Sequence, residues 1–388
     1  MPFVLAGSLT PCGITEEMMV TTRNISIPHS APSLGRLEEE AVRRCLCSCF
    51  VGNGVAAKQL EEQMCKQTGR KYGFAVSSGF HALLLALRAF DLKQSSKVCL
   101  PVLTCASVLA AVQNAGHRAV LADIEADTLT LDVRTVPGDC AAVIAPHAYG
   151  APVHASAIRS LGLPWIEDCA TSPATCVEGR PAGGWGTFAV FSFASTKYLT
   201  GGSGGMLTCD DDMLAARVQD LLNFDSFDKI GRWENGWQGA LPGRMADINA
   251  SLANVQLNRM AEFCRRRREI AGIYNSRLRA LAGLKLAELT PDHSFYRYIV
   301  RTEVLSEGIC RSLCDVGIDA RTSVNPWLDH IPSSTGNDGG GPWPIADKWR
   351  GHLLSLPIHP SMSNEDAILV AQSLRKAIAS SLTRETHG

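Results

Sequence analysis

The sequence predicts an α/β protein. A large domain built on a mostly parallel sheet with helices on both faces is followed by a small C-terminal α+β domain. Three observations carry this expectation. Apolar segments of strand length alternate with helical segments from about residue 72 to residue 205. Several of those strand segments, such as KVCLPV at 97–102, are almost wholly apolar, as strands covered on both faces must be. After Cys209 the grain changes to long helical stretches, and strand signals return only near FYRYIVRT. The expected division is an N-terminal arm over residues 1–24, a large α/β domain over 25–255 and a small domain over 256–388.

In chain order, the arm has no clear period. A helix is expected from about Leu37, with Glu38, Glu39 and Glu40 favouring its positive end. Gly52-x-Gly54-x-x-Ala57 has the spacing of a dinucleotide fingerprint, but a helix precedes it and no acid follows about 20 residues later. It reads as a turn ended by Gly54 that opens a second helix. A short strand at Phe74–Val76, a turn at Ser77-Ser78-Gly79 and an apolar helix from His81 follow. A helix start of this kind presents free N–H groups and a positive dipole end, a cradle for an anion. Strands at 97–102, 119–124, 141–150 and 164–170 alternate with helices at 106–116 and 155–162.

The stretch TFAVFSFASTKYLTGGSGG (187–205) runs from an apolar strand through Ser192 to Lys197 and then into glycines, which let the backbone approach a flat or phosphorylated ligand. Helix is expected after Cys209, a long loop over 225–244, and one long helical region over 245–281. Small-domain helices are expected at EGICRSLCDVG and NEDAILVAQSLRKAI, and a loop at 334–342.

Composition narrows the function. The chain has 388 residues, 46% of them hydrophobic, and 37 basic against 38 acidic residues. Balanced charge argues against a nucleic-acid surface. No stretch approaches the ~18 apolar residues of a membrane span, and the first residues do not read as a secretory leader. The 14 cysteines are therefore expected as thiols in a reducing cytoplasm. The C-x-C spacing of Cys45, Cys47 and Cys49 does not suit zinc.

Ligands of open α/β sheets bind beyond the carboxyl ends of the strands. Ser78, Gly79, His147, Asp168 and Lys197 all fall at such ends or just past them, so they are expected to share one site. A lysine with an acid on a neighbouring strand end matches the needs of pyridoxal 5'-phosphate. The amine takes the aldehyde, the acid holds the pyridine nitrogen protonated, and a helix N-terminus with Ser192 seats the phosphate.

From about Ile27 to Leu374 the chain resembles the DegT/StrS-type pyridoxal-phosphate-dependent sugar aminotransferases. The resemblance is carried by Pro32, Gly35 and Glu38–Glu40, by Gly52-Asn53-Gly54, and by Ser78-Gly79 before Ala82-Leu83. It continues through Pro101, Thr104, Gly116 and Asp123, then His147-Ala148-Tyr149-Gly150 and Glu167-Asp168-Cys169-Ala170. The core is Ser192-Phe193-x-x-x-Lys197-x-Leu199-Thr200-x-Gly202-x-Gly204-Gly205. Later matches are Gly243-Arg244-Met245, Gln256-Leu257, Tyr274, Gly317-Ile318-x-x-Arg321 and Leu356-Pro357-x-His359-Pro360.

The resemblance implies the fold-type I aminotransferase architecture, with a mixed, mostly parallel sheet of the seven-stranded type. It implies a homodimer with the site at the subunit interface, and amino transfer from glutamate or glutamine to a keto sugar, usually nucleotide-linked. Lys197 would carry the internal aldimine and shuttle the proton. Asp168 would pair with the pyridine nitrogen, and Ser192 with the backbone around Gly79 and Phe80 would hold the phosphate. His147, Tyr149, Arg244, Arg321 and His359 are candidate substrate contacts.

Departures from the family pattern bear on the cofactor pocket. Phe80 stands where Thr or Ser is usual, Cys105 where an aromatic stacks on the ring, and Thr171 where Gln or His is frequent. Pro242 replaces an asparagine that reaches the partner's phosphate, and Ser203 a common glutamate. Three rival readings follow: a non-catalytic or regulatory member of the same fold, a sugar dehydratase, which would carry His in place of Lys197, and a serine hydrolase using Gly201-x-Ser203-x-Gly205.

Overall fold

The computed structural model describes residues 25–223, 241–323, 327–331 and 341–385. The expected arm at 1–24, most of the loop at 225–244 and most of the tract at 334–342 lie outside those residues.

The elements run α1 (Arg36–Cys47), α2 (Val55–Thr68), β1 (Tyr72–Val76), α3 (Gly79–Ala89), β2 (Lys97–Pro101), α4 (Ala106–Asn114), β3 (Arg118–Ala122), β4 (Ala142–Pro146), α5 (Ala155–Ser160) and β5 (Trp165–Asp168). A small hairpin, β6 (Cys176–Val177) and β7 (Arg180–Pro181), precedes β8 (Phe188–Ser192), β9 (Gly205–Cys209) and α6 (Asp212–Leu222). Then come α7 (Asp247–Asn258), α8 (Met260–Leu278), β10 (Leu284–Lys285), β11 (Tyr298–Thr302), α9 (Ser306–Asp315), β12 (Arg321–Thr322), α10 (Pro344–Trp349), β13 (Leu353–Leu356) and α11 (Asn364–Glu385).

The main sheet has seven strands in the order β1-β9-β8-β5-β4-β2-β3. Only β9 runs against its neighbours, and the β8-β5-β4-β2-β3 half is parallel. Alternate residues of each strand feed two different cores. Val98, Ile144, Ile166, Phe188 and Val190 meet α3, α4 and α6, while Cys99, Val143, Ala145, Ala189 and Phe191 meet α2, α5 and α7. Cover on both faces explains why these strands read as apolar runs rather than as alternating patterns.

A second sheet, β10-β11-β13-β12, carries a third core with the later part of α8, α9 and α11. The chain before α1 docks there. Ile27 bridges Ile318, and the N–H groups of Ser26 and Ile27 donate to the Gly317 carbonyl.

The expected single helical region over 245–281 is two helices. They meet at Arg259, whose backbone (φ −95°, ψ 0°) leaves the helix and whose guanidinium donates to the Ser33 carbonyl and to Glu38. The apolar spacing continues across this break, so periodicity did not reveal it. The expected domain change at 255–256 falls inside α7, which packs on α1 and α2. Core partners change later, within α8, where Phe263 and Cys264 face the large sheet's core and Ile270 and Tyr274 face the small one's.

The N-terminus of α2 is filled by a carboxylate of the chain itself. Asp247 Oδ1 and Oδ2 accept the N–H groups of Gly54, Ala56 and Ala57 at 2.8–3.1 Å. This anion site is closed, which accords with reading Gly52-x-Gly54 as a turn rather than a dinucleotide fingerprint.

Candidate active site

The site forms where β4, β5 and β8 end. In the register Asp168 lies beside Val190, so the acid closing β5 sits next to the strand that leads to Lys197. Beyond Ser192 the chain makes a closed loop. Phe193 N–H donates to the Gly204 carbonyl (2.9 Å) and Gly201 N–H to the Phe193 carbonyl (2.8 Å). Lys197 rides on that loop. Its neighbour Tyr198 is buried, with its hydroxyl on the Ser294 carbonyl (3.3 Å) and the Arg267 guanidinium 4.7 Å over its ring. Asn249 Nδ2 holds the Gly201 carbonyl at 2.7 Å. The lysine therefore projects from a base pinned on both sides.

A cavity of about 340 Å³ opens at these ends. It is lined by Lys197, Asp168, Ser192, Gly79, Phe80, Thr171 and Cys105, and also by Tyr149 and Arg321. Lys197 is half-buried, and among the described residues its Nζ has neither a hydrogen bond nor a carboxylate within ion-pair distance; it lies 6.0 Å from the centre of the Tyr296 ring. The Asp168 carboxyl is buried and, among the described residues, accepts one hydrogen bond, from Ala170 N–H at 2.9 Å. Burial pushes its carboxyl above the ordinary range, opposed by the Ala170 N–H and by the charge on Lys197. A buried acid with a single donor is suited to a cationic N–H partner.

Helix α3 begins beside this acid–amine pair. Its first two N–H groups, on Gly79 and Phe80, have no partner inside the helix. Gly79 is packed so closely that a Cβ would meet Ser192 Cβ at 2.9 Å, which brings the helix start against the end of β8. The donor set is thus an amine, an acid and a positive helix end with a hydroxyl. It fits a phosphorylated pyridine aldehyde, which Lys197 would meet at the aldehyde, Asp168 at the ring nitrogen, and Gly79, Phe80 and Ser192 at the phosphate.

Several expected site residues lie elsewhere. Ser78 does not border the cavity; its hydroxyl caps α3 by accepting His81 N–H at 3.1 Å. His147 is fully buried and faces away with Glu167, Nε2 to Oε1 at 3.0 Å, while its Nδ1 accepts Val153 N–H. Glu167 also accepts the N–H groups of Gly183, Trp185 and Gly186. Burial pushes this carboxyl up, but His147 and the backbone donors more than offset it, and the net shift is downward. His147, Glu167 and Cys169 sit close enough to suggest a metal cluster, yet both imidazole nitrogens and both carboxylate oxygens already have partners.

Arg244 donates to Asn223, and His359 Nε2 lies against the Pro28 carbonyl; neither borders the cavity. The glycines at 201–205 do not line it either. They let the loop turn and pack: a Cβ on Gly205 would lie 2.4 Å from the Ser78 carbonyl carbon. Ser203 is exposed, bonds to the Ser77 carbonyl and is followed by β9 rather than a helix, so the hydrolase elbow is absent.

The cavity also takes residues that sequence reasoning missed: His29, Tyr296, Arg297, Ser323 and Ser355. They come from the strap before α1 and from the small sheet. His29 Nε2 meets Ser355 Oγ at 2.9 Å across 326 positions of sequence. No local pattern marks such a meeting, although Tyr296 and Arg297 lie in a stretch already read as strand.

Comparison with known proteins shows a pyridoxal-phosphate-dependent enzyme of aminotransferase type, a class that this donor set fits. The chain belongs to the DegT/DnrJ/EryC1/StrS aminotransferase family, whose model matches residues 32–375. It is similar to the spore coat polysaccharide biosynthesis protein SpsC of Bacillus subtilis (strain 168), with 30% identity over 387 positions, 93% of this chain and 99% of the relative. The aminotransferase TlmJ from Streptoalloteichus hindustanus has a similar structure, with TM-score 0.84 and 30% identity, covering 91% of this chain and 99% of that one. DesI, solved in the presence of its TDP-sugar product, gives TM-score 0.83 and 26% identity over 94% of this chain and 96% of its own.

Proposed function

We propose that this protein transfers an amino group from glutamate or glutamine to the keto group of a nucleotide-linked sugar, with Lys197 as its catalytic amine. The observation that carries the reading is that Lys197, without a carboxylate partner among the described residues, shares one cavity with the buried Asp168. Pyridoxal phosphate, when bound, supplies an aldehyde and a ring that draws electrons. Lys197 Nζ would hold that aldehyde, and the same amine would move a proton at the reacting carbon. Asp168 keeps the ring nitrogen protonated, and the low dielectric around it strengthens that pairing. Gly79 and Phe80 N–H with Ser192 Oγ orient the phosphate. A nucleotide-linked acceptor is supported by DesI, which was solved with a TDP-sugar product.

The reading includes a homodimer. Leu34, Leu37, Leu46, Phe50, Val51 and Val55 are all exposed within one stretch of chain, and such apolar surface favours a second copy as cover. It also includes a reducing cytoplasm, supported by described cysteines that are all free thiols. No described helix is long and apolar enough to cross a membrane.

Borohydride reduction of protein loaded with pyridoxal phosphate, followed by peptide mass spectrometry, tests the reading. The label is expected on Lys197, with the visible band lost in Lys197→Ala. A label on Lys71 or Lys348, or protein that stays colourless, would overturn it.

A further inference from the structure

Four basic side chains and one acid line the cavity: His29, Lys197, Arg297 and Arg321 against Asp168. Arg321 is already committed, forked onto Asp319 at 3.1 and 2.7 Å. His29 is neutral; burial, with Arg297 and Arg321 adding to it, brings its pKa to about 3. Arg297 is different. Among the described residues its guanidinium has no carboxylate partner. Nη1 donates to the His29 carbonyl at 3.1 Å, Nη2 to the Tyr296 hydroxyl at 3.4 Å, and Cζ lies 4.6 Å from the centre of the Tyr296 ring. These contacts fix the plane of the guanidinium and leave most of its five N–H donors unused. The same Tyr296 ring lies against Lys197 Nζ, so amine and guanidinium share one aromatic support.

We propose that Arg297 binds the carboxylate of the amino donor and so holds the donor's amine toward Lys197. The inference rests on the function proposed above and names the recognition element within it. A planar guanidinium with spare donors matches a carboxylate as a fork matches a fork. The donor carries its carboxylate a few bonds from its amine, so a guanidinium on the same aromatic support as Lys197 would hold the carboxylate while the amine reaches the atom that Lys197 serves. The phosphate of the cofactor has its own seat at the start of α3. Arg297 also borders an adjoining cavity of about 190 Å³, lined as well by Tyr149 and Arg301 and by the acids Asp127, Glu288 and Asp292.

The test uses full-length protein loaded with pyridoxal phosphate, with L-glutamate added in the absence of any sugar. The loss of the cofactor's visible band reports the first half-reaction. In Arg297→Met the glutamate concentration for half-maximal rate is expected to rise about 10- to 150-fold, the scale of a lost charge-assisted hydrogen bond. Arg297→Lys is expected to recover part of that loss. Affinity for pyridoxal phosphate, read by fluorescence titration, stays within about twofold. Glutarate, an unreactive dicarboxylate, is titrated calorimetrically into protein with and without cofactor, and is expected to bind the native protein and not Arg297→Met.

Unchanged glutamate half-saturation together with unchanged glutarate binding would overturn the assignment. So would a loss that falls on the KM of the keto-sugar nucleotide, which would make Arg297 a phosphate ligand of the acceptor, or a loss of cofactor affinity. Because glutarate is also titrated without cofactor, a chain that refuses pyridoxal phosphate sinks the functional reading and still leaves Arg297 decided by that arm.

Discussion

Two adjacent acids on β5 do opposite work because successive side chains of a strand point to opposite faces. Asp168 faces the cavity with one donor and an upward-shifted carboxyl; Glu167 faces the interior, held by His147 and three backbone N–H groups. Their substitutions should therefore separate cleanly. Asp168→Asn is expected to keep the borohydride label on Lys197 while lowering kcat by about 10²–10³-fold, the scale of removing one preorganised charge partner. Steady-state transamination with a keto-sugar nucleotide measures it. Glu167→Ala strands the 183–186 backbone and His147, and is expected to cost about 3–5 kcal/mol of stability, as losing one member of a buried pair does. A shift in the urea midpoint reads that loss. The acid pair and Lys197 were legible in the sequence because both followed apolar strands. Arg297 was not, because its proposed role rests on its having no carboxylate partner among the described residues, and a sequence does not display partners.

At the scale of elements, the proposed phosphate seat depends on how closely β8, β9 and the start of α3 approach one another. Gly205 is the tightest point: an added Cβ would lie 2.4 Å from the Ser78 carbonyl carbon and oxygen and 2.6 Å from Gly79 N. Those are backbone atoms that cannot swing aside. Gly205→Ala is therefore expected to push α3 off the strand ends and to weaken pyridoxal phosphate binding by about tenfold or more, about 1.4 kcal/mol. Fluorescence titration checks it, and an unchanged affinity would mean that the helix start does not seat the phosphate. The glycine run was visible in the sequence, but its role was not. It reads equally as room for a ligand or room for the chain, and only the packing tells that it serves the chain. The break at Arg259 was hidden for a similar reason, since the side-chain contacts that hold it come from Ser33 and Glu38, more than 200 positions away.

At the scale of the molecule, two buried histidines tie the N-terminal strap to the small sheet and make the fold sensitive to acid. Burial lowers His29 to about 3 and His359 to about 4, from an ordinary 6.5. Both stay neutral in the folded chain, while the unfolded chain takes up a proton on each below 6.5. Their stabilising effect is complete above pH 6.5 and drains away as pH falls toward 4 and then 3. By linkage each costs about 2 kcal/mol at pH 5. Urea unfolding at pH 7 and pH 5 should show the drop, and His29→Gln should reduce it. The exposed apolar stretch from Leu34 to Val55 makes a further prediction. Sedimentation should find two-chain particles, and Leu37→Glu with Val55→Glu should yield monomers with unchanged circular dichroism.

What the sequence by itself determined is the class of the fold and the pair at its centre. Apolar runs at strand length and glycine-marked turns are local, and so are the positions of Asp168 at the end of one buried strand and Lys197 just past another. What the tertiary structure alone decided is the other wall of the cavity, where His29, Tyr296, Arg297 and Ser355 arrive from the strap and the small sheet. It also gave His147, Ser78, Arg244 and His359 other partners and left them outside the lining of this cavity. The reason is physical: a side chain's chemistry depends on which groups already satisfy it, and in this chain most of those groups are far away along the backbone.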